Sequence, residues 1–260
     1  MRIEAKDVSA RFGRNIVLRN INLTLRGGEM VGLIGQNGSG KTTLLRILAN
    51  LRAPDGGYVL YEGKTARDVG HWQLAQRIAY LAQSGDVHWH MKVEALIGLG
   101  RFPHRRPMQG MTVEDRAAVD RAIAACDVEA FRERSVAEVS SGERLRILLA
   151  RALAVDGDLL LADEPISALD PLYQLQVMEL LRKTSRQDKG VLVVLHDLAL
   201  ATRFCDRLVL LAKGGIVADG QPDEVMTDAN IANAYGVAVV RGEHQGSPYL
   251  LPWQPINDSK

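Results

Sequence analysis

The chain has 260 residues, 47% of them hydrophobic and 24% charged, which is enough apolar material for a substantial core and excludes a disordered chain or a scaffold needing disulfide staples. The 32 Lys and Arg residues nearly balance the 31 Asp and Glu residues. A net charge of +1 lacks the basic excess of a dedicated nucleic-acid binder, so partners must be argued from motifs.

Residues 3–8 and 16–25 carry β-branched and apolar residues in partial alternation (Ile21, Leu23 and Leu25 against Asn22 and Thr24) and are predicted as antiparallel strands. Residues 29–34 form a short apolar strand that runs into a Gly-rich turn. Residues 41–51 follow with Leu44, Leu45, Ile47, Leu48 and Leu51 at helical spacing. Gly56-Gly57 turns into a strand over 58–61, and 77–82 is a further strand ending at Gln83. Residues 84–110 hold Gly85, Gly98, Gly100, Pro103 and Pro107 and read as irregular, with a short helix at 93–99. Residues 112–136 then change to Ala, Arg, Asp, Glu and Val and are predicted helical. From Ser140 the chain alternates: helix to 155, strand 159–162, helix 171–186, strand 191–195, helix 198–204, strand 207–211. The unbroken apolar run Val191-Leu192-Val193-Val194-Leu195 belongs in a parallel sheet covered on both faces.

Cys126 and Cys205 show no CxxC or Cys/His spacing and are expected to be buried free thiols in a reducing compartment. No apolar signal segment opens the sequence and no run of ~18 apolar residues occurs, so any membrane span would have to come from another chain.

Gly35-Gln36-Asn37-Gly38-Ser39-Gly40-Lys41-Thr42 fits GxxxxGK[ST] between a predicted strand and helix. Glycines there let successive backbone N–H groups face phosphates. The helix N-terminus adds a positive dipole end, Lys41 reaches the β and γ phosphates, and the Thr42 hydroxyl ligates Mg²⁺. Leu159-Leu160-Leu161-Ala162-Asp163-Glu164 is an apolar strand ending in two carboxylates. The expected roles are Asp163 for the metal and Glu164 as general base for the attacking water.

Between these motifs lies Val139-Ser140-Ser141-Gly142-Glu143, close to an LSGGQ signature, and with it the chain resembles the ATP-binding cassette (ABC) ATPases over essentially its whole length. The resemblance continues in Ser167-Ala168-Leu169-Asp170 after Asp163-Glu164-Pro165, in His196 after an apolar strand, in Gln83, and in Phe12 ahead of the loop. It implies an α/β P-loop fold with a mostly parallel core sheet, an antiparallel β region and an inserted helical subdomain. It also implies ATP and Mg²⁺ as ligands. Phe12 would stack on adenine, while Gly35, Asn37, Gly38, Ser39, Gly40, Lys41, Thr42 and Thr43 would hold the phosphates. Gln83 would act at the metal and the reaction centre, and His196 would stabilise the γ phosphate. Ser140, Gly142 and Asp170 would serve the site of a second, head-to-tail copy.

The signature departs from the family at Val139 for Leu and at Ser141 for the first glycine. Were φ positive at Ser141, a serine there would cost on the order of 1 kcal/mol relative to glycine and weaken closure.

Gly100-Arg101-Phe102-Pro103-His104 resembles the GRxPH segment of cassettes that energise uptake of iron-siderophore, haem and cobalamin. This implies an importer subunit at the cytoplasmic face of the inner membrane, working as a homodimer beneath a separate permease and a substrate-binding protein, without nucleic acid. Residues 1–260 would then be one ATPase domain: 1–83 and 156–220 the nucleotide-binding core, 84–155 the helical and signature part, and 221–260 an extension. The residues between Thr42 and Ser140 hold no long heptad coiled coil of a DNA-repair cassette, and a P-loop kinase would leave the signature unexplained. The alternative is a soluble cassette ATPase in nucleic-acid or iron-sulfur assembly work. His88, Trp89, His90 and His104 are read as permease contacts rather than a metal site.

Overall fold

The computed structural model describes residues 1–83, 91–106, 108–244 and 247–256. Gly85, His88, Trp89, His90 and Pro107 lie outside the described residues. In chain order the elements begin with β1 (Arg2–Phe12), β2 (Asn15–Arg26), β3 (Met30–Ile34), α1 (Lys41–Leu48), β4 (Gly56–Tyr61), β5 (Lys64–Thr65), α2 (Ala66–Val69), α3 (His71–Arg77) and β6 (Ile78–Leu81). After these come α4 (Val93–Gly98), α5 (Val113–Ala125), α6 (Ser141–Ala154), β7 (Leu159–Asp163), α7 (Pro171–Ser185), β8 (Gly190–Val194) and α8 (Leu198–Phe204). The chain closes with β9 (Arg207–Ala212), β10 (Gly215–Gly220), α9 (Pro222–Val225), α10 (Asp228–Tyr235), β11 (Val237–His244) and β12 (Ser247–Pro255).

The central sheet runs β10-β9-β3-β8-β7-β6 and is parallel apart from β10, which pairs antiparallel with β9. A second sheet, β2-β1-β4-β5, is antiparallel. Strand alternation divides the core in two. Val31, Leu33, Leu159, Leu161, Leu192 and Val194 face the antiparallel sheet and α1, whereas Met30, Ile34, Leu160, Ala162, Val191 and Val193 face the layer of α4 to α8. Every residue of β3, β7 and β8 is therefore buried, which is why those strands read as continuous apolar runs.

Several boundaries differ from expectation. The first helix stops at Leu48 because Asn50 turns to a φ of 57°. The stretch 112–136 is helical only to Ala125, where Asp127 at φ 52° breaks it, and two short 3₁₀ turns follow. Residues 221–260, read only as an extension, hold α9, α10 and the β11–β12 hairpin, whose second strand packs on α8. The hairpin was missed because Pro248, Pro252 and Pro255 argue locally against a strand, which antiparallel pairing overrides. Cys126 and Cys205 are buried free thiols, pushed up to about 12 by desolvation.

Candidate nucleotide site

The Gly-rich loop is shaped by contacts that only glycine permits. A Cβ at Gly35, where φ is 148°, would sit 2.2 Å from the Leu211 carbonyl oxygen, and one at Gly40, where φ is 103°, would sit 2.5 Å from Leu18 Cδ2. No side chain among the described residues caps the N-terminus of α1, so its first amides face the loop. Lys41 Nζ donates to the carbonyl oxygens of Gly35 at 2.7 Å and Gln36 at 2.9 Å. Burial lowers the Lys41 pKa, against the opposing pull of Glu164 and Asp163. The Ser39 hydroxyl is buried with no hydrogen-bond partner among the described residues. A cradle with glycine-lined backbone, a desolvated ammonium and an orphaned hydroxyl fits a polyphosphate.

The two carboxylates enter from the end of β7. Consecutive strand residues point to opposite faces, but Glu164 adopts a φ of 52°, which breaks the alternation. Such a position costs of order 1–3 kcal/mol and persists only where its surroundings over-determine it. Asp163 Oδ1 accepts from Thr42 Oγ1 at 3.2 Å, while Asp163 Oδ2 is buried with no hydrogen-bond partner among the described residues. Burial raises the Asp163 pKa, the Thr42 hydrogen bond lowers it, and the neighbouring Glu164 charge raises it. A hydroxyl, a half-satisfied carboxylate and the amide of Gln83 form an oxygen donor set suited to Mg²⁺, which takes one or two carboxylates and completes its shell with phosphate and water. Glu164 Oε2 accepts from Gln83 Nε2 at 2.7 Å, and Glu164 Oε1 lies 2.6 Å from His196 Nε2, the imidazole N–H donating.

Most of these groups line one cleft of about 630 Å³, whereas Gly35, Ser39 and Asp163 are not part of its lining. Asn37, Gly38, Gly40, Lys41, Thr42 and Thr43 form its floor, Gln83, Glu164 and His196 one wall, and Phe12 and Val17 the other. Phe12 is 56% exposed and carries the Arg52 guanidinium 4.0 Å from its ring centroid. Sequence reading missed Val17 and Arg52, since neither belongs to a local pattern.

Ser140, Gly142 and Asp170 do not line this cleft. Ser140 is the N-cap of α6, its hydroxyl accepting from the Glu143 amide at 3.3 Å while Glu143 Oε2 accepts from the Ser140 amide at 2.7 Å. That reciprocal box pulls the Glu143 pKa down and gives the glutamate a structural task in the signature. Asp170 caps α7, accepting from the Tyr173 amide at 3.1 Å. A Cβ on Gly142 would meet Leu169 Cδ2 at 3.6 Å and the Ala168 carbonyl at 3.7 Å, so the signature and the 167–170 loop touch.

The conditional strain at Ser141 is corrected. Ser141 is the first residue of α6 and is absent from the positive-φ positions, so serine is not strained there. Ser141→Gly is expected to leave ATP turnover within about twofold and to lower stability by less than about 1 kcal/mol, the penalty for glycine in a helix. A thermal melt and a steady-state ATPase assay check this, and a large gain in turnover would restore the strain account.

A family model described as ABC transporter matches residues 18–167. Over 96% of its length the chain is 39% identical to the hemin import ATP-binding protein HmuV of Pseudomonas aeruginosa, covering 99% of that protein. It is 34% identical, over 96% of its length and 92% of the relative, to YusV of Bacillus subtilis, an ATP-binding protein assigned to a siderophore transport system. The cobalamin import ATP-binding protein BtuD of Halobacterium salinarum is 36% identical over 93% of the chain and 61% of that protein. Among solved structures, the cassette MJ0796 in a dimeric post-hydrolysis state bound to ADP and Pi superposes with a TM-score of 0.75 at 28% identity, covering 85% of this chain and 98% of that one. A chain of a transporter assigned to the metal-chelate type, in an inward-facing conformation, gives a TM-score of 0.83 over 97% of both chains, but at 23% identity it shows the fold alone. The loop at Gly35 to Thr42, the acids at the end of β7 and the signature cap at Ser140 thus sit in a chain that belongs to the ABC transporter family, as an ATP-binding cassette with the P-loop ATPase fold.

Proposed function

We propose that this cassette hydrolyses ATP to drive import of an iron chelate, haem or cobalamin through a separate permease, as a homodimer peripheral to the cytoplasmic face of the membrane. The observation that carries the two-chain part is the absence of Ser140 and Gly142 from the chain's own cleft, while the exposed Ser140 stands at the N-terminus of α6. A helix N-terminus is an anion site, and it finds its phosphate on a second copy arranged head to tail. Likeness to hemin, siderophore and cobalamin import proteins along nearly the whole chain supports the cargo class. No helix among the described residues is long and apolar enough to cross a membrane. A binding protein on the far side of the membrane would deliver the cargo to the permease.

In this reading the adenine stacks on Phe12 and the phosphates settle on the loop amides and Lys41. Thr42, Asp163 and Gln83 would hold Mg²⁺, which when bound would neutralise phosphate charge. Glu164 takes the proton of the attacking water, and His196 donates toward the γ phosphate. Thr43 supports the loop, and Asp170 lies at the junction between copies. Residues 84–155 move as the signature-bearing part against a core of 1–83 and 156–220, with Gln83 at the joint.

Co-expression with a candidate permease from the same organism tests the assignment. The expected result is co-purification and ATPase activity stimulated several-fold by one haem, cobalamin or ferric-chelate cargo on its binding protein. Hydrolysis by the isolated chain that rises with added nucleic acid would point instead to a soluble cassette.

A further inference from the structure

The Gly100–His104 segment has no place in the nucleotide cleft, yet two of its side chains are fixed by hydrogen bonds. Arg101 is 8% exposed. Its guanidinium donates to Asp115 Oδ1 at 2.9 Å and to the carbonyl oxygens of Ala154 at 3.0 Å and Val155 at 2.9 Å. His104 Nε2 lies 2.8 Å from the same Val155 oxygen, and because a carbonyl only accepts, the imidazole donates. A Cβ on Gly100 would come within 2.2 Å of the Arg151 carbonyl oxygen, so glycine is required for the segment to lie this close to α6. The carbonyls so gripped close the last turn of α6, the groups a helix leaves unsatisfied and where a cation is favoured.

The same segment is tied to the core. Gln76 Nε2 of α3 donates to the Pro103 carbonyl at 2.7 Å, and Trp72 packs edge-on against Phe102 with centroids 5.7 Å apart. From the other side Arg77, the last residue of α3, bonds Asp158 Oδ2 at 2.6 Å, and its carbonyl accepts from the Asp158 amide at 2.8 Å. Residues 154–158, where α6 ends and the chain re-enters the sheet at β7, are therefore gripped from both sides by groups anchored on α3. That helix leads through β6 to Gln83.

We propose that Arg101 and His104 are positioning residues that fix the angle at which α6 leaves the core, and so set where Ser140 meets the nucleotide of a second copy. The inference rests on the two-chain reading above. At ~1.5 Å per residue the helix is about 20 Å long, so a tilt of about 10° at its clamped end displaces Ser140 by about 3–4 Å, more than a hydrogen-bond length. Burial, with the Arg101 charge, lowers the His104 pKa and so favours the neutral imidazole.

The test uses the full chain with Glu164→Gln, measuring both nucleotide affinity of the single chain and the ATP concentration that drives dimerisation. Arg101→Met keeps the side-chain stem and removes the fork; Gln76→Ala releases the clamp from α3 without touching the Arg101–Asp115 pair. Nucleotide affinity should stay within about twofold in both, since the loop is untouched, while the dimerisation midpoint should rise about tenfold or more for Arg101→Met and about threefold for Gln76→Ala. Should Arg101→Met fail to fold, Gln76→Ala decides alone. A parent that dimerises with ATP while the folded variants match it overturns the clamp alone. A parent that remains monomeric overturns the two-chain reading and the clamp's role with it.

Discussion

Glu164→Gln is expected to lower ATP turnover by about 10²–10⁴-fold, the usual contribution of a positioned general base, while ATP binding is retained or tightened. Glutamine keeps the length and shape of the side chain, so its amide oxygen can still accept from Gln83 Nε2, and its amide nitrogen can donate to His196 Nε2 once the neutral imidazole carries its proton on Nδ1. What is lost is a group that can take a proton. The substitution also removes a negative charge beside Asp163, whose pKa Glu164 raises, and a polyphosphate meets less repulsion. The expected product is a long-lived ATP-bound dimer, visible by size-exclusion chromatography and by absent phosphate release. Turnover within tenfold of the parent would take the base role from Glu164 and leave its strained backbone without a chemical purpose.

Lys41→Met should act at an earlier step. A hydrogen bond to a charged group contributes about 1.5–3 kcal/mol, so losing the ammonium should weaken ATP binding by about 10–100-fold. Turnover at saturation should fall by about 10²–10³-fold, since the same cation faces charge that develops during transfer. The methionine stem fills much of the space of a side chain only 5% exposed, which limits packing loss. The Gly35 and Gln36 carbonyls then lose their shared donor, so the loop itself should become less ordered in the absence of nucleotide. Fluorescent-nucleotide titration measures the first effect and single-turnover hydrolysis the second. A variant that binds ATP normally yet hydrolyses slowly would assign Lys41 to the transition state alone. Together the two substitutions separate holding the phosphate from cleaving it.

The ligand class was legible in the sequence because the groups proposed to hold phosphate come from one short segment. In Gly35 to Thr42 the glycines, the lysine and the hydroxyl are placed by local backbone geometry, and eight consecutive residues suffice to name the ligand class. The layered sheet was legible for a related reason, since strands buried on both faces can only be spelled with apolar residues, as in β7 and β8. The strain considered at Ser141 depended on a positive φ, and that condition is not met because the capping box of Ser140 and Glu143 starts a helix at that position.

Tertiary structure alone decided the rest. The turn at Glu164, the bridge from Gln83 to His196, and Arg52 over Phe12 all join residues far apart in the chain, and no local pattern encodes such contacts. The Gly100–His104 segment shows the division most sharply. As sequence it was a marker of kinship; as structure it is a clamp, because the Asp115 carboxylate and the Ala154 and Val155 carbonyls it grips are brought to it only by the packing of α5 and α6. Local sequence determined which chemistry this chain can perform, and long-range packing determined how its parts are aimed.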